Sequence, residues 1–385
     1  MMKIGVYLGH TPFAGGTFQY CLTILDALEE LKQKYKLGVI VIYENYEWDK
    51  YLKDYPFIGV KARKYRFFEF FWRVWRRFTL PVFPCRKLFK IVHPLVKEFV
   101  KQNCDTWIFP AQDHWSYVAE LNCIATIHDL MHRYERRFPE VGSRVQFRAR
   151  EYHYKNICRY AQKILVDSKI GKNQVCESYG EIYRAKTFPL PYTIPKIIQR
   201  ITPDLNVLKS RKISHENFIF YPAQFWQHKN HLGLLKAFKE VLKEDQSLQL
   251  VFVGAQKNGS DEVQRFIDEN KLADSVHILG YVSDAEIAGL YKLTKCLVMP
   301  TFFGPTNIPP LEAKFFGAKV IYSKIYAYDE FLEEDENTLF INPESTQELR
   351  SAIIRVLKNH DSTGPSQLKD THFARTLFEI IRAEI

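Results

Sequence analysis

Short apolar runs alternate with amphipathic stretches along the chain, which is the pattern of parallel sheets covered by helices. The first run precedes a loop ending at Gly15 and Gly16 and a helix whose apolar residues recur every three or four positions from Phe18 to Leu31. The runs predicted as strands form two series, 4–8, 37–43, 106–109, 123–127 and 164–166, then 218–222, 248–253, 276–279, 296–299 and 320–322. The pattern predicts an α/β protein with two Rossmann-like domains facing each other across a cleft, where such sheets bind ligands.

The chain has 385 residues, too many for one ordinary domain and enough for two that each bury a core. Between the two series, residues 188–212 (FPLPYTIPKIIQRITPDLNVLKSRK) are rich in proline and then polar, which indicates a linker. We therefore expect a first domain at 1–190, a linker at 191–215, a second domain at 216–365 and a terminal helix at 366–385. This last helix could return to the first domain.

Positive charge is concentrated in one segment. Residues 61–101 hold twelve Lys or Arg against two Glu, an excess equal to the net charge of +10 of the whole chain. Within them YRFFEFFWRVWRRF predicts a helix with an apolar side made of Phe68, Phe71, Trp72 and Trp75. The segment is interpreted as docking on an anionic membrane surface or as a core-facing helix with solvated arginines. A nucleic-acid patch is a third reading, but no accompanying motif supports it and no nucleic-acid partner is expected.

Cysteine usage and the termini bear on location. The seven cysteines have no CxxC pair or regular spacing, so neither a disulfide framework nor a zinc site is predicted. We expect no signal peptide, since KIGVYLG begins without a basic and apolar leader, and no transmembrane helix. These features favour a cytoplasmic protein, peripheral on the inner face of the cell membrane if the basic segment docks there.

Two motifs of the second series carry candidate chemistry. FYPAQFWQHKNH contains Lys229, and FFGPTNIPPLE predicts a loop entering a helix with Asn307 as N-cap and Glu312 in its first turn. A helix amino terminus binds anions through backbone amides and the macrodipole. Because of the two prolines, the amides here would come from Thr306, Asn307, Ile308 and Leu311. A lysine beside such an end suits a nucleoside diphosphate, and the flanking His228 and His231 are either hydrogen-bonding groups of the site or surface residues.

On these motifs the chain resembles the family 4 glycosyltransferases, retaining and metal-independent enzymes of the GT-B architecture, from the amino-terminal glycine loop to about Leu357. That family has an Arg and a Lys five residues apart after a strand, and later two glutamates eight residues apart. The corresponding positions here are Gln224 with Lys229 and Gly304 with Glu312. The lysine and the second glutamate match, whereas the arginine and the first glutamate do not. Glycines after strands also match, in LQLVFVG and LGYVSD.

The resemblance implies roles for particular residues. The first domain would bind the acceptor and the second the nucleotide sugar, with no cofactor and no metal site. Lys229 and helix-end amides would stabilise the diphosphate, and Glu312 would accept the ribose hydroxyls. The implied catalytic residues are His128, Asp129 and Lys229, where Asp129 could instead hold the next loop by an Asx-type bond. The implied donor-binding residues are Gly15, Gly16, Gln224, Lys229, Gly254, Tyr281, Thr306, Asn307, Ile308 and Glu312. His132 and Arg133 are expected to be solvated or to face the acceptor.

The function implied is hexosyl or deoxyhexosyl transfer, with retention, from a nucleotide diphosphate sugar to a glycan hydroxyl in the biosynthesis of surface polysaccharide or lipopolysaccharide. The acceptor would be lipid-linked if the basic segment touches a membrane. Two alternatives stay open. One is a nucleotide-sugar epimerase or phosphorylase of the same architecture. The other is a catalytically silent glycan- or membrane-binding subunit, which would explain Gln224 and Gly304.

Overall fold

A computed structural model describes residues 1–12, 15–213, 216–304, 307–326, 328–358 and 372–384. Its strands are β1 (Lys3–Leu8), β2 (Gly38–Tyr43), β3 (Ile58–Lys61), β4 (Thr106–Phe109), β5 (Cys123–Thr126), β6 (Lys163–Val166), β7 (Thr187–Pro189), β8 (Phe218–Pro222), β9 (Gln249–Val253), β10 (Val276–Leu279), β11 (Cys296–Met299), β12 (Lys319–Ser323) and β13 (Thr338–Ile341).

The helices follow the strands along most of the chain. They are α1 (Gly16–Tyr35), α2 (Asp49–Leu52), α3 (Arg66–Arg77), α4 (Val82–Val92), α5 (Pro94–Lys101), α6 (Trp115–Val118), α7 (Met131–Tyr134), α8 (Pro139–Gly142), α9 (Arg144–Tyr160), α10 (Lys169–Tyr179), α11 (Lys196–Gln199), α12 (Val207–Ser210), α13 (His231–Val241), α14 (Ser260–Glu269), α15 (Asp284–Leu293), α16 (Ile308–Phe316), α17 (Tyr328–Phe331), α18 (Thr346–Lys358) and α19 (Phe373–Arg382).

In the described residues the strands form two parallel sheets, ordered β3-β2-β1-β4-β5-β6-β7 and β10-β9-β8-β11-β12-β13. Each sheet reverses its order beside its first strand, which is the doubly wound arrangement. The predicted α/β fold with two Rossmann-like domains is confirmed, and all ten predicted strands are present. The prediction missed β3, β7 and β13. β3 is mostly exposed at a sheet edge, and β7 is a three-residue edge strand ending in proline, so neither leaves a clear apolar run.

The chain divides into two compact units. The first comprises residues 1–134, 142–196 and 370–385, and the second comprises 135–141 and 197–369. Helix α19 belongs to the first unit, where Phe378 stacks on Tyr35 of α1 with ring centroids 4.0 Å apart. The Lys163 ammonium donates to the Ile381 carbonyl oxygen at 2.8 Å. Residues 197–213, predicted as linker, lie in the second unit, where Val207 of α12 is fully buried.

The aromatic helix α3 packs on the core of the first unit. Trp72 is buried, and Phe68, Phe71 and Trp75 are partly buried against the same core. The apolar side made of these residues is therefore packed on the core, as the core-facing reading of the segment expected, and it is not available to a membrane. A second apolar stripe faces outward on the same helix. This outward stripe of α3 consists of Phe67, Phe70, Val74 and Phe78, of which Phe67 is 74% exposed.

A buried ionic cluster joins α7 to α9 in the first unit. The Glu151 carboxylate accepts hydrogen bonds from Arg133 Nε at 2.6 Å and from the Tyr179 hydroxyl at 3.0 Å, and it lies 2.9 Å from His132 Nε2. Burial alone would raise the pKa of Glu151, but bonds from Arg133, His132 and Tyr179 outweigh it and hold the pKa at about 2. The expectation of solvated His132 and Arg133 was wrong, because the partner that draws them inward is many residues away in sequence.

Candidate functional site

The carboxyl ends of β8, β9 and β11 meet at one edge of the second sheet, because the three strands are adjacent and parallel. The loops that leave them carry most of the candidate donor-binding residues. A tight turn over 227–229 follows β8 and leads into α13, and the loop after β11 leads into α16. This edge is the position at which doubly wound sheets bind ligands.

The side chains of Lys229 and Asn307 are in contact at this edge of the sheet. The Lys229 ammonium donates to Asn307 Oδ1 at 2.9 Å, and the backbone carbonyl of Lys229 accepts from the Tyr221 hydroxyl at 2.8 Å. Asn230, in the left-handed conformation, caps α13 by accepting from Gly233 N and donates to the carbonyl of Pro300 at 3.0 Å. The lysine is thus held at the amino terminus of α16, as the two motifs predicted.

Asn307 occupies the N-cap position of α16, but its side chain makes no cap hydrogen bond. Its Nδ2 donates to the Tyr322 hydroxyl at 2.8 Å and to the Gly304 carbonyl at 3.1 Å, while Oδ1 accepts from Lys229. The predicted capping role was wrong, because these partners use both ends of the amide. Asn307 instead ties the lysine to the loop after β11.

The departure from the family pattern at Gly304 is built into this loop. Gly304 has a φ of 124°, which side-chain-bearing residues rarely adopt, and an added Cβ would lie 2.8 Å from Asn307 Nδ2. A glutamate could not enter here without rearranging the loop. The glycine and the asparagine therefore form one matched structure.

Glu312 lies on α16 and is 8% exposed. Its predicted place in the first turn was wrong, because the helix begins at Ile308 and Glu312 falls beyond that turn. Its Oε2 accepts from the Tyr291 hydroxyl of α15 at 2.8 Å. Burial, reinforced by the Glu312 charge, raises the pKa of Tyr291 well above its usual value, so the tyrosine stays a donor to the carboxylate. Tyr291 fixes the rotamer of Glu312, and a sequence search for motifs could not have found it.

Gly254 follows β9 at the point where the backbone of the turn after β8 packs closely against it. A Cβ there would be 2.2 Å from the Ala223 carbonyl oxygen, so glycine is required by close backbone approach. The turn is also tied by Phe225 N to the Ala255 carbonyl at 3.1 Å. Gln224, on the same turn, is exposed and accepts from Trp226 Nε1 at 3.0 Å.

The remaining donor-site candidates of this unit lie in different places. Ile308 begins α16 next to Asn307 and is buried. Tyr281 follows β10, the edge strand two places from β8, and is 84% exposed. Thr306 lies outside the described residues.

In the first unit, the glycine turn and the end of β5 hold the other candidates. Gly15 has a φ of 59° at the N-cap position of α1, which begins at Gly16, and its carbonyl accepts from Gln19 N at 3.2 Å. The side chain of Asp129 accepts from Met131 N at 2.9 Å. That bond is the Asx-type loop bond left open above, so Asp129 has a turn-holding role here.

His128 lies two residues after the end of β5, with one ring nitrogen inside the protein. Among the described residues Nε2 is buried with no hydrogen-bond partner, while the ring donates to the backbone carbonyl of Pro110 and lies edge-on to Tyr20. Burial lowers the pKa of His128 to about 4, so the imidazole is neutral at neutral pH. A neutral ring with one nitrogen fixed in this way keeps the other, Nε2, as a hydrogen-bond acceptor.

Both histidines that flank Lys229 are buried, so the surface reading was wrong. His231 stacks on Phe225 at 4.3 Å between ring centroids, and burial lowers its pKa to about 3. His228 stacks on Phe303 at 3.9 Å. It also contacts Glu140, a residue that sequence reasoning missed because 88 positions separate the two.

Residues 206–369 match the family model described as glycosyl transferases group 1. Most of the second unit is therefore a domain similar to the glycosyl transferases group 1 family. The resemblance predicted from Lys229, Glu312 and the glycines is therefore confirmed, and the residues just described are those of this domain and of the unit that precedes it.

Two relatives and one solved structure extend the comparison. The chain is 24% identical to O-antigen chain mannosyltransferase B of Escherichia coli over 60% of this chain and 63% of that protein. It is 30% identical to O-antigen chain mannosyltransferase RfbU of Salmonella typhimurium over 37% of this chain and 39% of that protein. The matches thus span less than two thirds of either relative. Anabaena Alr3699/HepE, solved with UDP and glucose, aligns over 100% of both chains with 15% identity and a TM-score of 0.71, which shows a shared fold.

Two absences within the described ranges concern ions and membranes. No group of three or more His, Cys, Asp or Glu side chains there is placed to hold a metal ion. None of the helices in those ranges has the length and apolar character that crossing a bilayer requires.

Proposed function

We propose that this protein is a retaining, metal-independent glycosyltransferase that moves a hexosyl group from a nucleotide diphosphate sugar to a glycan hydroxyl. The observation that carries the proposal is the Lys229 ammonium held against Asn307 at the start of α16, inside a domain similar to the glycosyl transferases group 1 family. The names of the two O-antigen mannosyltransferases support mannose as the sugar and a surface polysaccharide or lipopolysaccharide as the product.

The chemistry required of the site is charge stabilisation. The acceptor oxygen forms a bond to the anomeric carbon while the bond from that carbon to the diphosphate oxygen breaks, and the hydroxyl proton passes to the departing phosphate. In this front-face displacement no protein nucleophile is needed. The developing negative charge on the diphosphate is what Lys229 and the amino terminus of α16 would stabilise, and Glu312 would orient the ribose.

The two departures from the family pattern fit an active enzyme. Gln224 removes one positive charge and Gly304 one negative charge, so the net charge of the site is unchanged. Gly304 itself takes part in the hydrogen bonding of the site, since its carbonyl accepts from Asn307 Nδ2. This arrangement favours a donor sugar positioned differently over an eroded site.

A donor screen tests the proposal. The full chain is heated with UDP-glucose, GDP-mannose, dTDP-sugars and the free nucleotides, and binding raises the unfolding temperature. We expect one nucleotide sugar to stabilise the protein and to yield a glycosylated product when a glycan acceptor is added. Stabilisation by none would favour the silent subunit, and conversion of the donor without an acceptor would favour an epimerase.

We further propose that the acceptor is lipid-linked and that the first unit docks on the anionic inner face of the cell membrane. The support is the outward stripe of α3 (Phe67, Phe70, Val74 and Phe78) beside exposed Arg66, Arg73 and Arg77. Aromatic side chains enter the headgroup layer, and each cation near an anionic surface contributes about 1 kcal/mol.

Vesicles containing anionic lipid test this docking. Phe70→Glu, and separately Arg73, Arg76 and Arg77 changed together to Glu, should each reduce sedimentation with vesicles at least tenfold. Ile182→Glu is the matched control, because Ile182 is 81% exposed in the same unit but lies outside this segment. Equal sedimentation by all variants would contradict the proposal.

A further inference from the structure

In the second unit His228 joins its own turn to the loop at 301–303 and to the segment that carries Glu140. Its backbone carbonyl accepts from Phe302 N at 2.8 Å and from Thr301 Oγ1 at 3.1 Å, and its ring stacks on Phe303 with an interplanar angle of 14°. The position of His228 therefore sets the start of the loop that holds Gly304. Because Lys229 is the next residue, the position of His228 also fixes the backbone position of Lys229.

Glu140 holds His228 in that position. One carboxylate oxygen, Oε1, accepts from His228 N at 3.0 Å and contacts His228 Nδ1, and the other accepts from Asn258 Nδ2 at 2.9 Å. The side chain of Glu140 is only 7% exposed. Burial alone would raise the pKa of Glu140, but the bonds from His228 and Asn258 outweigh it and lower the pKa to about 2. The carboxylate is ionised at neutral pH.

Glu140 reaches His228 from a segment, residues 135–141, that belongs to this unit although both neighbouring stretches of sequence belong to the other. Separate contacts hold the segment. Phe138 stacks on Phe302 at 5.3 Å, and Arg137 Nη1 donates to Glu344 Oε1 at 2.6 Å. The segment therefore does not depend on Glu140 alone for its place, and the carboxylate is available to orient His228.

We propose that Glu140 is a positioning residue of the donor site, acting through His228 on Lys229 and on the loop at Gly304. This inference rests on the proposed function, since it concerns binding of the nucleoside diphosphate. The sign of the effect is diagnostic. A carboxylate that acted on the diphosphate only through its charge would repel it, so its removal would tighten binding. A carboxylate that positions the lysine and the loop must weaken binding when it is lost.

The test is calorimetric titration of UDP and GDP into the full-length protein and three variants. Glu140→Ala removes the acceptor of the His228 amide and should raise the dissociation constant at least tenfold. Glu140→Gln keeps a neutral acceptor and should raise it by less. Glu344→Gln breaks the ion pair to Arg137 in the same segment and should leave affinity within twofold of wild type.

Each outcome supports or overturns the inference. Weaker binding by Glu140→Ala with partial rescue in Glu140→Gln supports it. Wild-type or tighter binding by both Glu140 variants overturns it while leaving the proposed function intact, as does an equal loss in Glu344→Gln. If Glu140→Ala does not fold, the dissociation constants of Glu140→Gln and Glu344→Gln are compared, and a larger rise in Glu140→Gln supports the inference. Failure of the wild-type protein to bind either nucleotide or dTDP overturns the proposed function and this inference with it.

Discussion

Replacing Gly254 by alanine tests whether the turn at the donor edge depends on close backbone packing. The new methyl group would lie 2.2 Å from the Ala223 carbonyl oxygen and 2.9 Å from Gln224 N, where ordinary contacts begin at 3.4 Å. The turn must therefore move by roughly 1 Å. Inserting a methyl group into a packed site costs about 1–3 kcal/mol. For a unit of this size a loss of about 2 kcal/mol lowers the unfolding midpoint by roughly 4–8 °C.

Gly280→Ala is the matched control. Gly280 also follows a strand of the second sheet, but nothing lies within 4 Å of its added Cβ, and neither glycine has a positive φ. The control should gain about 0.4–1 kcal/mol by restricting the unfolded chain. The two alanine variants should thus shift the unfolding midpoint in opposite directions, as followed by calorimetry. Because the displaced turn leads to Lys229, Gly254→Ala should also bind nucleotide more weakly. A midpoint and an affinity equal to wild type would refute the reasoning.

Three further predictions address single side chains. Lys229→Ala should raise the barrier to sugar transfer by about 2–4 kcal/mol, seen in kcat/KM, whereas exposed Lys236→Ala should not change it; equal activity of the two would remove the role of Lys229. Glu312→Gln should weaken nucleotide binding by about 1–2 kcal/mol but leave pyrophosphate competition unchanged, and a parallel loss for pyrophosphate would place Glu312 at the phosphates. The folded pKa of Glu151, about 2, lies below the value near 4.3 of an unfolded glutamate, so its stabilisation is complete above about pH 4.3 and is lost as the pH falls towards 2. Glu151→Gln should therefore show a flatter loss of stability between pH 5 and pH 3 in urea unfolding, and an unchanged slope would contradict the assignment.

The strands could be predicted because each carries a local signal. A run such as Cys296–Met299 is apolar at every position, as a strand covered on both faces must be, and its predicted bounds match the structure. The loop chemistry of Lys229 and Asn307 was predictable for a similar reason, since parallel strands bring their carboxyl ends to one edge.

Helix α3 shows where such signals stop. Apolar side chains surround much of this helix, with Phe71 and Trp72 on the inner side and Phe67 and Phe70 on the outer side. Periodicity alone could not decide which side packs, so the membrane and core-facing readings both stayed open. Only the neighbouring core residues, distant in sequence, settle the orientation.

The site was mispredicted wherever a distant partner competes with a local preference. Asn307 is a favourable N-cap by residue type, but its side-chain amide instead donates to the Tyr322 hydroxyl and accepts from the Lys229 ammonium. Glu140 lies in no local sequence motif, and its role depends on a contact with His228 that is distant in sequence.

The place of α19 has a consequence for how the protein is made. A ribosome releases the chain from its amino terminus, so the strands of the first unit emerge early, while the helix that packs on α1 and accepts a hydrogen bond from Lys163 emerges after the second unit. The face of α1 that α19 covers therefore stays exposed until residues 197–369 have been synthesised. Completion of this early-made half is thus linked to translation of the late-made half, and a chain stalled before Phe373 leaves it unfinished.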